Sequence, residues 1–237
     1  MKKLILFIPF LFNLCFADTL TVFPESGTTV DGYITRSVSS ETLSEIRSGT
    51  GTAVNDGGQT LDLDLTSSST TDEYSTLRRV FMLFDTSSIG SGATIDTATL
   101  SYKGSEAAFN SFGGSPEVDI VSTNPASDDA LVTGDFTDRG TTSFGSVAVS
   151  AWSSGSYNDF TLNASGESNI NTTGISKFGA TIDWDTDNSL GVSWASSKTV
   201  EVKGYSSDRA GTADDPKLVI NYTPGASDNA LFFGSGF

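Results

Sequence analysis

Histidine is absent from this chain, and cysteine is nearly so. The 237 residues include no histidine, and the single cysteine, Cys15, lies in an apolar N-terminal stretch. Catalytic triads built on histidine, zinc or haem sites with histidine ligands, and disulfide frameworks are therefore excluded. A cysteine nucleophile is also excluded from the rest of the chain. The remaining chemistry belongs to carboxylates, hydroxyls, amides and aromatic rings.

Positive charge is scarce. Lysine and arginine together number 13 against 29 aspartates and glutamates, which gives a formal net charge of −16. Such a field repels nucleic acid and anionic membrane surfaces, so neither is expected as a partner. The same field attracts cations such as Ca²⁺. A simpler explanation is that acidity keeps a secreted protein soluble.

The two ends of the chain differ in character from the middle. Residues 1–17 begin with Lys2-Lys3 and continue as an apolar run, which is the pattern of a signal peptide. The run is too short and too interrupted for a membrane span, so we expect a secreted protein with one domain at residues 18–223. Residues 224–237 form an apolar tail with Leu231-Phe232-Phe233. Three interpretations are open: a flexible end, a strand given to another copy, or a recognition peptide.

One stretch dominates the fold prediction. Val80–Phe84 is a continuous apolar run closed by a polar, glycine-containing loop, which is typical of a central strand covered on both faces. In the next segment along the chain, Ala98, Leu100 and Tyr102 alternate with hydroxyl residues. This period of two is typical of a strand with one solvent-exposed face. These patterns predict an all-β, jelly-roll-like sandwich of two sheets, with at most one or two short helices.

Other elements follow from alternation and turn residues, while residues 25–45 predict only an edge hairpin or a loose loop. The further predicted elements are strands at Leu61–Leu65 and Ile175–Ile182, a short helix over Ala164–Asn171, and a final hairpin of Thr199–Tyr205 with Lys217–Tyr222.

A family resemblance rests on the order Arg-x-Phe-Met-Leu-Phe-Asp-Thr-Ser-Ser-Ile, then Gly-Ala-Thr-Ile-Asp-x-Ala-Thr-Leu-Ser-Tyr, between Arg79 and Tyr102. This order resembles the core of the DNRLRE-type domains, secreted β-sandwich modules related to a family of carbohydrate-binding modules. Residues 160–179 are similar to the family's strand, short helix and strand, and residues 200–222 to its closing hairpin. The last loop has Ser206-Ser207-Asp208 where the family has Ser-Arg-Glu. The resemblance implies a module attached to surface proteins.

Aromatic side chains are the candidate ligand-binding residues. Trp152, Tyr157 and Trp184 lie in or beside polar, turn-like stretches. Because an exposed ring offers a flat platform to the apolar face of a sugar, they predict a saccharide site. The alternative is that the rings plug the ends of the sandwich, since tryptophan is usually highly buried. We expect Tyr157 and Trp184 to be the more exposed, and Trp194 to lie in the core.

Two acidic loops are candidate metal sites. Asp183, Asp185 and Asp187 place oxygen ligands at every second residue, a spacing that lets one loop wrap a hard cation such as Ca²⁺. A second loop contains Asp208, Asp214 and Asp215. The alternative is a solvated turn in which the carboxylates accept hydrogen bonds from backbone N–H groups. No cofactor is required, and Ca²⁺ is optional.

The function that these features favour is non-enzymatic, because no carboxylate pair or nucleophile motif is marked by its spacing. The sequence and the resemblance together predict a secreted, cell-surface module that binds polysaccharide or another surface glycan, with or without Ca²⁺. The alternative is a structural subunit of a fibre, surface layer or virion that self-associates through residues 224–237.

Overall fold

The computed structural model describes residues 16–25 and 27–225. The signal peptide predicted at residues 1–17 lies outside the described residues except for its last two positions. The predicted tail also lies outside them beyond residue 225. Within the described ranges, no helix is long and apolar enough to cross a membrane.

The described residues are mostly β-strand, which confirms the predicted all-β class. The strands are β1 (Asp18–Val22), β2 (Asp31–Thr42), β3 (Ala53–Asn55), β4 (Thr60–Ser67), β5 (Glu73–Asp85), β6 (Thr94–Lys103), β7 (Phe109–Asn110), β8 (Glu117–Ser122), β9 (Gly145–Ala148), β10 (Tyr157–Thr161), β11 (Ile175–Ile182), β12 (Thr199–Tyr205) and β13 (Lys217–Thr223). The α-helices of this part of the chain are α1 (Leu43–Ser48), α2 (Ala164–Ser168) and α3 (Asp183–Asp187), one more than expected. Single 3-10 turns occur at Ser87–Ile89, Thr133–Thr137 and Val149–Ala151.

Two sheets form the predicted sandwich. The smaller sheet has four strands in the order β1-β13-β6-β10. The larger has nine strands, in the order β7-β12-β4-β5-β11-β8-β9, with β2 paired to β5 and β3 paired to β2. The apolar faces of both sheets meet in one buried cluster that includes Phe81 of β5 and Leu100 of β6. The inner face of each sheet is therefore buried against the other sheet.

Strand β5 is the centre of the larger sheet. Every residue of its Val80–Phe84 run is at most 1% exposed, which confirms the prediction of a strand covered on both faces. One edge of β5 pairs with β2, and β4 and β11 share the other edge. Burial of each large apolar side chain in this run stabilises the fold by about 1.5–3 kcal/mol.

Strands that follow each other along the chain are not always neighbours in a sheet. β6 is not a sheet neighbour of β5, because the loop between them crosses from the larger sheet to the smaller one. The predicted final hairpin does not exist, since β12 pairs with β4 and β7, and β13 pairs with β1 and β6. Strand periodicity identifies the inward residues but carries no information about which sheet a strand joins.

The edge hairpin or loose loop predicted for residues 25–45 is also wrong. Strand β2 has 12 residues and follows β5 from Asp31 opposite Met82 to Thr42 opposite Glu73. Helix α1 follows at once, with Thr42 and Glu45 forming a capping box. The apolar alternation of β2 is weak, so its sequence pattern does not predict a strand. Pairing with β5 is what makes this segment a strand.

A buried carboxylate connects separate parts of the chain. Asp185 of α3 has no exposed surface. Its carboxylate accepts hydrogen bonds from Arg79 on β5, from Arg47 on α1, and from Arg139, which follows the 3-10 turn at Thr133–Thr137. The Thr181 hydroxyl also donates to it. Burial opposes ionisation of Asp185, but the charges and hydrogen bonds of Arg79 and Arg139 outweigh burial and lower its pKa to about 2. The carboxylate is therefore ionised in the folded protein at neutral pH.

Of the three arginines around Asp185, Arg79 makes more hydrogen bonds than Arg47 or Arg139. Its Nε and Nη2 donate to the two carboxylate oxygens of Asp185, each at 2.7 Å, in a bidentate pair. Its Nη1 donates to the carbonyl of Phe136, and its guanidinium lies 4.1 Å from the centroid of the Phe136 ring. This geometry gives a buried arginine the partners that it requires.

We predict that Asp185→Ala lowers the free energy of unfolding by about 3–5 kcal/mol, because it leaves buried guanidinium charges without their carboxylate. Urea denaturation followed by tryptophan fluorescence measures the change. Asp187→Ala, at an exposed position on the same helix, is the matched control and should stay within about 0.5 kcal/mol of wild type. Equal effects of the two substitutions would contradict the role assigned to Asp185.

Candidate functional site

The two predicted tryptophans do not form an exposed platform. Trp184 is 3% exposed and Trp152 is 7% exposed, so the expectation of an exposed Trp184 is wrong. Trp184 packs edge-on against Phe112, with ring centroids 5.5 Å apart, and Trp152 packs in the same manner against Tyr102 at 5.0 Å. Both rings are buried at the ends of the sandwich, and Asp185, the polar neighbour of Trp184, is buried with it. This outcome matches the buried alternative.

Tyr157 is the one member of the predicted aromatic set that reaches the surface. It lies half-buried at the start of β10, on the outer face of the four-stranded sheet. Its hydroxyl donates to the carbonyl of Asp215, and Nζ of Lys217 lies 4.0 Å from its ring centroid. Trp194, expected in the core, is partly buried, and its Nε1 donates to the carbonyl of Glu73.

The predicted metal ligands are not brought together. Asp183, Asp185 and Asp187 lie in α3 and not in an open loop. Because residues two apart on a helix point about 200° away from each other, their carboxylates diverge. Asp185 is engaged by arginines, and Oδ1 of Asp183 accepts from the N–H of Trp184. Across residues 16–25 and 27–225, no three acidic side chains are placed to hold one metal ion.

The second acidic loop is divided between different roles. Asp214 forms ion pairs with Lys103 and Arg209, while Asp215 is buried. Asp208 helps to line a cavity of about 40 Å³, whose other acidic residues are Asp31, Asp56 and Asp129. The space is enough for ordered water.

Asp31 is the buried carboxylate of this cavity. It accepts hydrogen bonds from the N–H and the hydroxyl of Ser207, and this contact joins the start of β2 to the loop before β13. Burial raises the pKa of Asp31 to about 6, with Asp208 and Asp215 adding repulsion. Asp64, on the outer face of β4, has its pKa raised to about 6 for the same main reason.

The outer face of the four-stranded sheet carries mostly hydroxyl and amide groups. Its inward residues, such as Leu100, Phe160 and Leu218, are fully buried, so the residues that alternate with them point outward. We call the outward set the hydroxyl face: Thr19, Thr21, Thr97, Thr99, Ser101, Lys103, Tyr157, Asp159, Thr161, Lys217, Val219 and Asn221.

One row crosses the whole hydroxyl face. Thr21, Val219, Thr99 and Thr161 are register partners across β1, β13, β6 and β10. With strands about 4.8 Å apart, this row is about 14 Å wide. Within the part of the chain that the structure describes, the three threonine hydroxyls have no hydrogen-bond partner. They are therefore available to a ligand as donors and acceptors.

The rows on either side are ordered by their own hydrogen bonds. The Thr19 hydroxyl donates to Oδ1 of Asn221 at 2.7 Å, and Nδ2 of Asn221 donates to the Thr97 hydroxyl at 2.9 Å. In the opposite row the Ser101 hydroxyl donates to Oδ1 of Asp159 at 2.7 Å. These contacts fix side-chain rotamers before a ligand arrives, so less entropy is lost on binding.

The sequence contains a signal for this face. Threonine alternates with apolar residues at Thr19-Leu-Thr21, at Thr97-Ala-Thr99 and around Thr161, and each alternation marks one wet strand face. That these wet faces adjoin depends on the order β1-β13-β6-β10, which joins strands distant in sequence. Spacing along the chain does not reveal that order.

We predict that buried carboxylates make the fold less stable as pH rises. The folded-state pKa values of Asp31 and Asp64 are raised from 3.8 to about 6, so their contribution is fully present below 3.8 and is lost as pH rises through about 6. The double variant Asp31→Asn, Asp64→Asn should therefore lose less unfolding free energy than wild type between about pH 4.5 and pH 7.5. These values lie roughly one and a half pH units below and above the folded-state pKa.

Urea denaturation at both pH values measures this difference. Asp72→Asn, in an exposed turn, is the control and should leave the wild-type pH dependence unchanged. The assignment fails if the double variant and wild type lose stability equally over this range.

Comparison with family models and with curated proteins gives no relative from which a function could be transferred. No family model matches the chain, and no curated protein matches it. The functional conclusion therefore depends on the geometry of the hydroxyl face.

Proposed function

We propose that this protein is a secreted, non-catalytic module that binds polysaccharide through the hydroxyl face. The observation that carries the proposal is the row of three unpartnered hydroxyls, Thr21, Thr99 and Thr161, on an otherwise ordered sheet surface. A sugar hydroxyl both donates and accepts hydrogen bonds, and a threonine hydroxyl has the same two capacities. The row therefore matches the repeated hydroxyls of a saccharide chain.

The polar character of the face favours a polymer over a small molecule. Small-ligand sites are usually concave and mostly apolar, whereas this face is an open, polar sheet surface. Each neutral hydrogen bond adds only about 0.5–1.5 kcal/mol, so useful affinity needs several contacts along one ligand. A long glycan supplies such contacts when it lies across successive strands.

Tyr157 has a supporting place in this proposal. It pairs with Lys103 at one end of the hydroxyl face, beside the row that contains Ser101 and Asp159. A partly exposed ring at that end can contact the C–H face of a terminal sugar of the bound segment. Hydrogen bonds remain the main interaction, since the two predicted tryptophans are buried.

The resemblance to DNRLRE-type domains and the secreted location belong to the same proposal. The stretch that carries the resemblance contains Arg79 and the Val80–Phe84 strand, which form the buried centre of the fold. The leader pattern at residues 1–17 supports export. Ca²⁺ is not needed by a face of hydroxyls and amides.

An assembly subunit is the second candidate function, and the open edge of β1 favours it. Among the described strands β1 pairs only with β13, so its other edge is free to pair with another chain. Sedimentation analysis over a wide concentration range distinguishes the two candidates. A glycan-binding module is expected to remain a monomer, whereas an assembly subunit forms larger species as concentration rises.

We predict that the triple variant Thr21→Val, Thr99→Val, Thr161→Val binds polysaccharide at least about tenfold more weakly than wild type, because each lost hydrogen bond removes about 0.5–1.5 kcal/mol. Valine keeps the shape and the strand preference of threonine, so the fold should be retained. Affinity electrophoresis in gels containing different soluble polysaccharides measures binding.

The matched control is Thr35→Val with Thr76→Val, two half-buried strand threonines on the other sheet. It should bind as wild type does. Wild-type mobility that no polysaccharide retards, or retardation that the triple variant retains, would remove the hydroxyl face as the binding site.

A further inference from the structure

We propose that Asn171 is an acceptor for N-linked glycosylation, and that the fold favours it over the other two acceptor motifs of the chain. The Asn-x-Ser/Thr pattern occurs at Asn163-Ala-Ser, Asn171-Thr-Thr and Asn221-Tyr-Thr. The pattern alone does not rank these three sites. Their surroundings in the folded chain do.

Asn171 has the side-chain geometry of an available acceptor. It is exposed, and it begins a turn that is closed by the N–H of Gly174 donating to its carbonyl. Its Oδ1 accepts from the N–H of Thr173 at 3.2 Å and from the Thr173 hydroxyl at 3.3 Å. The resulting Asx turn brings the hydroxyl of the motif to the amide. Nδ2 of Asn171 donates to no group within the described residues.

The other two amides are already engaged. Nδ2 of Asn163 donates to the carbonyl of Ser143 at 2.9 Å, while Oδ1 of Asn163 caps helix α2. Nδ2 of Asn221 donates to the Thr97 hydroxyl at 2.9 Å, inside a strand that is paired on both edges. At either position one of the two N–H groups of Nδ2 already holds the side chain in place, whereas at Asn171 neither does so among the described residues.

The backbone of the Asn171 turn is anchored independently of the side chain. The Asn171 N–H donates to the Ser176 hydroxyl, and its carbonyl accepts from the hydroxyl of Thr86. A sugar on Nδ2 therefore leaves the anchoring contacts of the turn intact. The outward amide and the fixed backbone together present the acceptor to an enzyme.

The position of the turn is compatible with glycan binding elsewhere on the domain. The N–H of Gly90, in the loop before β6, donates to the carbonyl of Thr172, so the turn lies near the start of β6. Tyr157 pairs with Lys103 at the other end of this ten-residue strand. That separation is about 30 Å, so an attached glycan leaves the Tyr157 end of the hydroxyl face uncovered.

The reaction requires a polyprenyl-diphosphate-linked oligosaccharide and a transferase in the export compartment. Nδ2 of Asn171 forms a bond to C1 of the first sugar, and the bond from C1 to the diphosphate oxygen breaks. The lipid diphosphate leaves with that electron pair, and the amide nitrogen gives up one proton to a base of the transferase. The inference depends on the export part of the proposed function and is independent of polysaccharide binding.

Expression of the full chain in a secretory host that carries out N-glycosylation tests the proposal. Intact mass before and after treatment with a peptide N-glycosidase should show one removable glycan, and peptide mapping should place it at Asn171. The glycan should be lost in Asn171→Gln and in Thr173→Ala, and kept in Thr173→Ser. In Ser165→Ala and Thr223→Ala, which remove the other two motifs, it should also be kept.

Each alternative outcome has a defined meaning. A secreted but unmodified protein, or a glycan that persists in Asn171→Gln, overturns the assignment. Protein that stays in the cytoplasm with its leader uncleaved also overturns it, because the acceptor then never meets the transferase, and this result counts against the proposed secretion as well. Thr173→Ser guards against a folding defect, since it keeps the motif and changes a single methyl group.

Discussion

The ion cluster around Asp185 is the interaction on which the rest of the structure depends. One carboxylate without solvent contact receives hydrogen bonds from arginines on β5, on α1 and after the Thr133–Thr137 turn. Removing these charges from water is costly, and only mutual pairing with complete hydrogen bonding offsets that cost. The cluster therefore fixes where α1 and α3 lie against β5, and β5 in turn organises the larger sheet.

The hydroxyl face follows from that frame at the opposite side of the core. The apolar side chains of β5 pack in the same buried cluster as Leu100, Phe160 and Leu218, which are the inward residues of the smaller sheet. Period-two alternation then forces the intervening threonines outward. Because all four strands are in continuous antiparallel register through Thr99, their hydroxyls align in one row. Core packing thus sets the spacing of the groups that we assign to ligand binding.

Local pattern predicted the elements well and their partners poorly. Three elements are recognisable from short stretches of sequence. The Val80–Phe84 strand has a continuous apolar run, β11 has apolar periodicity, and helix α2 has an Asn cap. The positions of β12 and β13 in different sheets are not recognisable in this way, since crossovers between sheets leave no mark on periodicity. The exposure predicted for Trp184 is wrong for a related reason. Polar neighbours in sequence do not show whether residues from other parts of the chain cover a side chain. The hydroxyl face needed four strands from distant parts of the chain.

The most direct test of polysaccharide binding is a titration of isotope-labelled protein, monitored by backbone amide chemical shifts. The ligand is a polysaccharide that slows the protein in affinity electrophoresis, or an oligomer of it. Binding by the hydroxyl face predicts that the largest shifts fall on β1, β13, β6 and β10, centred on Thr99 and its row partners. Shifts concentrated on the larger sheet, or around the cavity lined by Asp31, would contradict the central claim that this face holds the glycan.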